Sequence, residues 1–95
     1  MAAYVLANVE VIDAAGFAAY REAVPATIAR YGGRYLARGG TTVVAEGGLT
    51  PKRVVLVEFP NTDAVRAWLD SPEYRPLLEL RQRTANTDMW IIDGV

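Results

Sequence analysis

The run Arg53-Val54-Val55-Leu56-Val57-Glu58-Phe59-Pro60 constrains the fold more than any other stretch. It is the densest β-branched segment of the chain, and Pro60 ends it because proline cannot continue a hydrogen-bonded ladder. Alternation puts Val55, Val57 and Phe59 on one face and Val54 and Leu56 on the other. A strand apolar on both faces is expected at the centre of a sheet covered on both sides. Glu58 shares the second face with Leu56, and a carboxylate there has to be paired, solvated or functional.

A chain of 95 residues is expected to form one domain spanning 1–95. A chain of that length buries roughly 60–65% of the surface its unfolded form exposes, so a monomer would be only modestly stable. The hydrophobic content is 52%, more than one small core needs, which favours a second apolar surface and an oligomer. The net charge of −1 and the lack of a basic cluster argue against a nucleic-acid partner. There is no Cys, which removes disulfides, thiolate nucleophiles and zinc–thiolate sites. There is no His, the commonest metal ligand and acid–base group. No cofactor, metal site or membrane partner is expected, and the start Met1-Ala2-Ala3-Tyr4 leads directly into a strand pattern, so a cytoplasmic location is the default expectation.

Residues 3–11 read as a strand, with Val5, Ala7 and Val9 alternating against Tyr4, Leu6, Asn8 and Glu10. Asp13 is the expected N-cap of a helix over 14–31, whose Phe17, Tyr20, Val24, Ile28 and Tyr31 recur at helical spacing. Pro25 lies inside it and removes the donor to the Arg21 carbonyl, which predicts a kink there. Gly32-Gly33 supplies the C-terminal cap. Residues 34–38 read as a short strand, with Arg34, Leu36 and Arg38 on one face and Tyr35 and Ala37 on the other. Gly39-Gly40 is expected to break or bulge it, with Thr41–Glu46 continuing the strand. Asn61 or Thr62 can cap a second helix, and Ser71-Pro72-Glu73 reads as a helix restart with Ser71 as N-cap. Tyr74, Leu77, Leu78 and Arg81 share a face of that third segment, which ends near Asn86; Asp88–Asp93 reads as the last strand.

The order β-α-β-β-α-β, with its second helix split, predicts an α+β, ferredoxin-like antiparallel sheet with helices on one face. Tyr4, Leu6, Leu36, Val54 and Leu56 then share the other face, which needs a partner, and a symmetric dimer joining two such faces would supply it. The same alternation puts Asn8, Arg34, Arg38 and Glu58 on that face, so the dimer is expected to enclose an apolar cavity with a few polar groups.

The sequence resembles the domain of unknown function 1330 family, within the dimeric α+β barrel superfamily. The resemblance spans nearly the whole chain and is carried by Tyr4-Val5-Leu6-Ala7-Asn8-Val9, Tyr31-Gly32-Gly33-Arg34-Tyr35-Leu36-Ala37-Arg38-Gly39-Gly40, Val57-Glu58-Phe59-Pro60, Ala67-Trp68, Ser71-Pro72-Glu73-Tyr74 and Arg81. It implies this fold and a homodimer, and no established activity. Better-known branches of the superfamily use the barrel for haem breakdown, cofactor-free oxygenation, isomerisation or ligand sensing. The haem-dependent branches usually need a His, and the sensing branch usually carries a DNA-binding domain for which there is no room here. Cofactor-free chemistry, or binding of a small aromatic or carboxylated molecule, is what the resemblance leaves open.

Glu58 is the first candidate for catalysis, as a desolvated general acid or base; its structural reading is an ion pair with Arg38 or Arg34. Arg38, beside Gly39-Gly40, is a candidate to bind or polarise an oxygen, with Arg34 more structural. Tyr20 and Tyr74 are phenols placed to donate in a helix–sheet cleft, or simply core residues with the hydroxyl at an edge. Ser71 is first an N-cap, and no His is present to activate it as a nucleophile; the helix start is the part that would hold a ligand. Asn8 is a candidate to orient a ligand or to satisfy a neighbouring strand. Two functions are therefore expected to compete: a cofactor-independent enzyme of proton transfer with Glu58, Arg38 and Tyr20 as its catalytic set, and a non-catalytic binding or accessory protein whose polar residues lock the dimer.

Overall fold

The computed structural model describes residues 1–95. Four strands, β1 (Ala3–Val11), β2 (Arg34–Arg38), β3 (Arg53–Phe59) and β4 (Ala85–Asp93), form one antiparallel sheet in the order β2-β3-β1-β4. Three helices, α1 (Ala14–Arg30), α2 (Thr62–Asp70) and α3 (Arg75–Thr84), complete the βαββαβ pattern, with the second crossover split in two. This is the ferredoxin-like fold that the strand periodicity predicts.

β1 and β3 are the two inner strands, and their pairing shows why the sheet has two unlike faces. Ala3 sits opposite Phe59, Val5 opposite Val57 and Ala7 opposite Val55. Ala3, Val5, Ala7, Val9, Val57 and Phe59 are all buried on this side. α1 packs over it with Phe17, Tyr20, Val24 and Ile28, and α2 with Val65 and Trp68. The other face carries Tyr4 opposite Glu58, Leu6 opposite Leu56 and Asn8 opposite Val54. There Leu6, Trp90 and Ile92 are exposed.

The local signals explain the helix ends. The Asp13 carboxylate accepts from the Gly16 amide at 3.1 Å, and the Asn61 side chain accepts from the Ala64 amide at 2.8 Å, so each satisfies an N-terminal donor that has no partner inside the helix. Gly32 adopts φ +82°, and the Gly32 and Gly33 amides close back on the carbonyls of Ala29 and Ile28. α1 runs through Pro25 without interruption.

Four expectations are refined or corrected. Gly39-Gly40 does break the strand, since β2 ends at Arg38, but the bulge lies earlier, where the register slips between Tyr35 and Ala37. Thr41–Glu46 is not a strand; the chain from Gly40 to Lys52 is an irregular loop, because Gly39 at φ +67° turns it off the sheet. β4 begins at Ala85, three residues earlier than its apolar alternation starts, because pairing with β1 continues through Thr87–Val9 and Ala85–Val11. Ser71 is the C-cap of α2, and α3 starts at Arg75 after a turn. Its hydroxyl donates to the Trp68 carbonyl and accepts from the Tyr74 amide, so it joins the two helices.

Candidate functional site

A narrow cleft runs between α1 and the helix-covered face of the sheet. Val5, Ala7, Val9, Val55, Val57 and Met89 form its floor; Phe17, Tyr20, Val24, Ile28 and Trp68 form its roof. Six polar side chains also reach it: Arg21, Tyr35, Arg38, Arg53, Arg81 and Thr87. Its free volume is about 50 Å³, room for a few waters. An apolar slot with a few converging polar groups is the usual form of a small-molecule site.

The β2 bulge decides which arginine reaches this cleft. Arg34 pairs with Glu58 on the open face, but beyond the slip Ala37 pairs with Leu56 and Arg38 with Val55. One extra residue reverses side-chain parity, so Arg38 lies on the helix side and not beside Glu58 as simple alternation predicts. Its guanidinium lies 4.6 Å from the centroid of the Tyr35 ring, and its Nη2 donates to the Arg21 carbonyl. That carbonyl is the one Pro25 deprives of its helical donor, so the proline creates the acceptor that anchors Arg38 at the mouth of the cleft.

Arg53 reaches the same mouth from β3, opposite Val9. Burial, reinforced by the like charges of Arg21 and Arg38, lowers its pKa from the ordinary arginine value. Gly39 leaves room for it: a Cβ at that position would run into the Arg53 guanidinium. At the inner end, the Tyr20 and Tyr74 hydroxyls are 2.9 Å apart, and Arg81 Nε donates weakly to the Tyr74 hydroxyl at 3.4 Å. Burial, then the neighbouring Tyr74, raises the Tyr20 phenol well above the usual tyrosine range, and burial raises Tyr35 as well. At neutral pH these phenols are hydrogen-bond donors and not bases.

The structure therefore sorts the candidate residues into three places. Arg38 and Tyr20 line the cleft, with Tyr74 directly behind Tyr20. Ser71 is buried at the α2–α3 junction with its hydroxyl occupied. Glu58, Arg34 and Asn8 lie on the opposite face of the sheet. Glu58 accepts from Arg34 Nε at 2.8 Å and does not line the cleft. Asn8 accepts from the Lys52 amide at 2.7 Å, which ties the loop to β1. Arg53, Arg81, Thr87 and Tyr35 were not among the sequence candidates. Arg53 was within reach, since it alternates in phase with Val55, Val57 and Phe59, and Arg81 shares a helix face with Tyr74. Thr87 carried no signal, because it precedes the apolar part of its strand. No cluster of three or more acidic, His or Cys groups suited to a metal ion is present.

The model of the family described as Domain of unknown function (DUF1330) matches residues 2–95. No curated protein matches the chain. Among solved structures, a protein of unknown function from Rhodopseudomonas palustris superposes with TM-score 0.80 at 19% identity, covering 99% of this chain and 82% of that one. A dimeric ferredoxin-like protein of unknown function from Thermobifida fusca gives 0.70 at 17% identity, covering 99% and 92%. SnoaB, a cofactor-independent oxygenase from Streptomyces nogalater, gives 0.66 at 15% identity, covering 99% and 93%. Likeness at these identities establishes the shared fold.

Proposed function

The chain belongs to the DUF1330 family, and we propose that it is a homodimer that binds a small organic molecule in the helix–sheet cleft of each protomer. One feature carries the binding half: an apolar slot onto which Tyr20, Tyr35, Arg38, Arg53, Arg81 and Thr87 converge. Trp68 lines the slot and is 2% exposed, whereas the second tryptophan, Trp90, is on the opposite face and 53% exposed. In a Trp90→Phe background, Trp68 fluorescence reports on the cleft alone. A screen of one-ring compounds, both acids and neutral analogues, is expected to give saturable changes in Trp68 emission and a raised melting temperature. A screen without any saturable response overturns the binding reading.

The dimer half is supported by the open face. Leu6, Leu36, Trp90 and Ile92 are exposed there or at its edge, and the loop above it exposes Val43, Val44 and Leu49. An apolar sheet face of this extent in a small protein needs a cover, and a second copy supplies one by two-fold symmetry. The Thermobifida fusca neighbour is described as dimeric. In this arrangement the Arg34–Glu58 pair serves the interface and not the chemistry. Light scattering is expected to give a dimer at micromolar concentration, and Leu6→Arg to give a monomer. A wild-type monomer at that concentration overturns the reading.

The Tyr20–Tyr74–Arg81 chain favours a second reading, a cofactor-independent enzyme, the class to which SnoaB is described as belonging. No carboxylate lines the cleft, so Glu58-driven proton abstraction has no support there. What these groups are suited to is stabilising negative charge that develops on a substrate oxygen, by preorganised donors in an apolar site.

A further inference from the structure

We propose that the cleft takes an organic anion, a single apolar ring bearing a carboxylate, with the carboxylate on Arg53 and Arg38 and an oxygen at the far end on Thr87 and Arg81. This rests on the cleft being the ligand site and adds the ligand's charge and length.

The first support is uncompensated charge. Arg21, Arg38, Arg53 and Arg81 all line the cleft, and no acidic residue does. The three ion pairs of the protein are Arg30–Glu73, Arg34–Glu58 and Lys52–Glu10, and none involves these four arginines. Glu22 lies beside Arg21 and Arg38 in a shallow outer groove and ion-pairs with neither. The chain has 11 acidic against 10 basic residues, so the imbalance at the cleft is local and not compositional.

The second support is burial. Arg81 is 8% exposed, yet its guanidinium makes only the 3.4 Å contact to the Tyr74 hydroxyl. The remaining N–H donors of that guanidinium have no protein acceptor and keep access to solvent, so they are free to take an incoming oxyanion. Thr87 Oγ1, also on the cleft, is the one buried side-chain polar atom without a hydrogen-bond partner. Arg53 is held partly desolvated against Arg21 and Arg38, a repulsion that a bound carboxylate relieves.

The third support is register. Arg53 and Thr87 both pair with Val9, on opposite sides, so they occupy one row of the sheet with an apolar residue between them. Two strand spacings separate their backbones by about 10 Å, which leaves room for one ring to reach from one side chain to the other. The free volume of about 50 Å³ is too small for such a ring, so Arg38 has to swing outward on entry. It is exposed and is held by one hydrogen bond and the Tyr35 stack, contacts that open readily.

The test uses the full chain with Trp90→Phe and the probe pair 4-hydroxybenzoate and its methyl ester, alongside benzoate and methyl benzoate. The acids are expected to perturb Trp68 emission and to bind at least tenfold more tightly than the esters, with affinity falling as salt rises. Arg53→Met is expected to weaken the acids at least tenfold and the esters far less, so that the preference for acids over esters is lost. In the ligand-free protein the same substitution is expected not to lower the melting temperature, because it removes a repulsion. Should Arg53→Met fail to fold, Arg38→Met, at an exposed position, carries the same expectation for the acids. Esters binding as well as acids, or acids indifferent to both substitutions, overturn the anion assignment and leave the cleft a binding site. No saturable response to any of the four compounds overturns the anion assignment, and the broader screen of neutral and acidic rings then decides the cleft separately.

Discussion

Trp68→Ala is expected to lower the free energy of unfolding by about 3–5 kcal/mol, the usual cost of deleting a large aromatic from a core. Trp68 is 2% exposed and joins three elements. Its ring centroid lies 4.2 Å from that of Tyr74 and 5.5 Å from that of Phe59. Its Nε1 donates to Thr27 Oγ1 at 3.0 Å, and Thr27 in turn donates to the Val24 carbonyl. Truncation thus opens a cavity, separates α2 from α1 and removes one of the two hydrogen bonds of the buried Thr27 hydroxyl. Small domains have about 5–15 kcal/mol in total, so the change removes a large share of the stability. Urea unfolding at fixed protein concentration checks this, the fixed concentration mattering because any self-association would add to apparent stability. A loss below about 1 kcal/mol would mean that the helices are held to the sheet by something other than this aromatic cluster.

The second large effect is expected at Tyr74, which is fully buried. Tyr74→Ala should cost as much as Trp68→Ala, for the same reason. The more informative change is Tyr74→Phe, which keeps the ring and removes the hydroxyl shared with Tyr20. It leaves the Tyr20 phenol unpaired and Arg81 without its contact, an expected loss of about 1–3 kcal/mol. The Tyr20→Phe/Tyr74→Phe double variant should cost less than the sum of the two single changes, because the second change removes the group that the first left stranded. The pH profile gives an independent readout. Burial raises the folded-state pKa of Tyr20 above the ordinary value of 10.0. The unfolded chain therefore loses this proton first as pH rises. Stability from this group is complete below about pH 10 and falls as pH climbs above it. Tyr20→Phe should flatten that alkaline decline; an unchanged alkaline slope would show that the Tyr20 phenol is not buried as described.

The layers were legible because they follow from alternation in unbroken strands. Val5, Ala7 and Val9 against Tyr4, Leu6 and Asn8 place one set under the helices and the other on the open face, whatever the loops do. The helix starts at Asp13 and Asn61 and the stop at Gly32 are equally local, since each rests on one side chain or one positive φ within a few residues. Glu58 on the open face also follows from parity alone.

The site depended on what alternation cannot carry. A one-residue bulge in β2 moved Arg38 through the sheet plane, and nothing in Arg34-Tyr35-Leu36-Ala37-Arg38 marks where the slip falls, because it is set by pairing with β3 from a distant part of the chain. Pro25 announced a free carbonyl at Arg21, but only the packing of β2 beside α1 gave that carbonyl its donor. Arg53, Arg81 and Thr87 come from three elements and meet only once strand register is set. The sequence by itself determined the fold and the two-faced sheet, which are properties of local periodicity. Tertiary structure alone decided that Arg38 joins the other charges of the cleft, because a register shift and long-range hydrogen bonds act between segments that sequence order keeps apart.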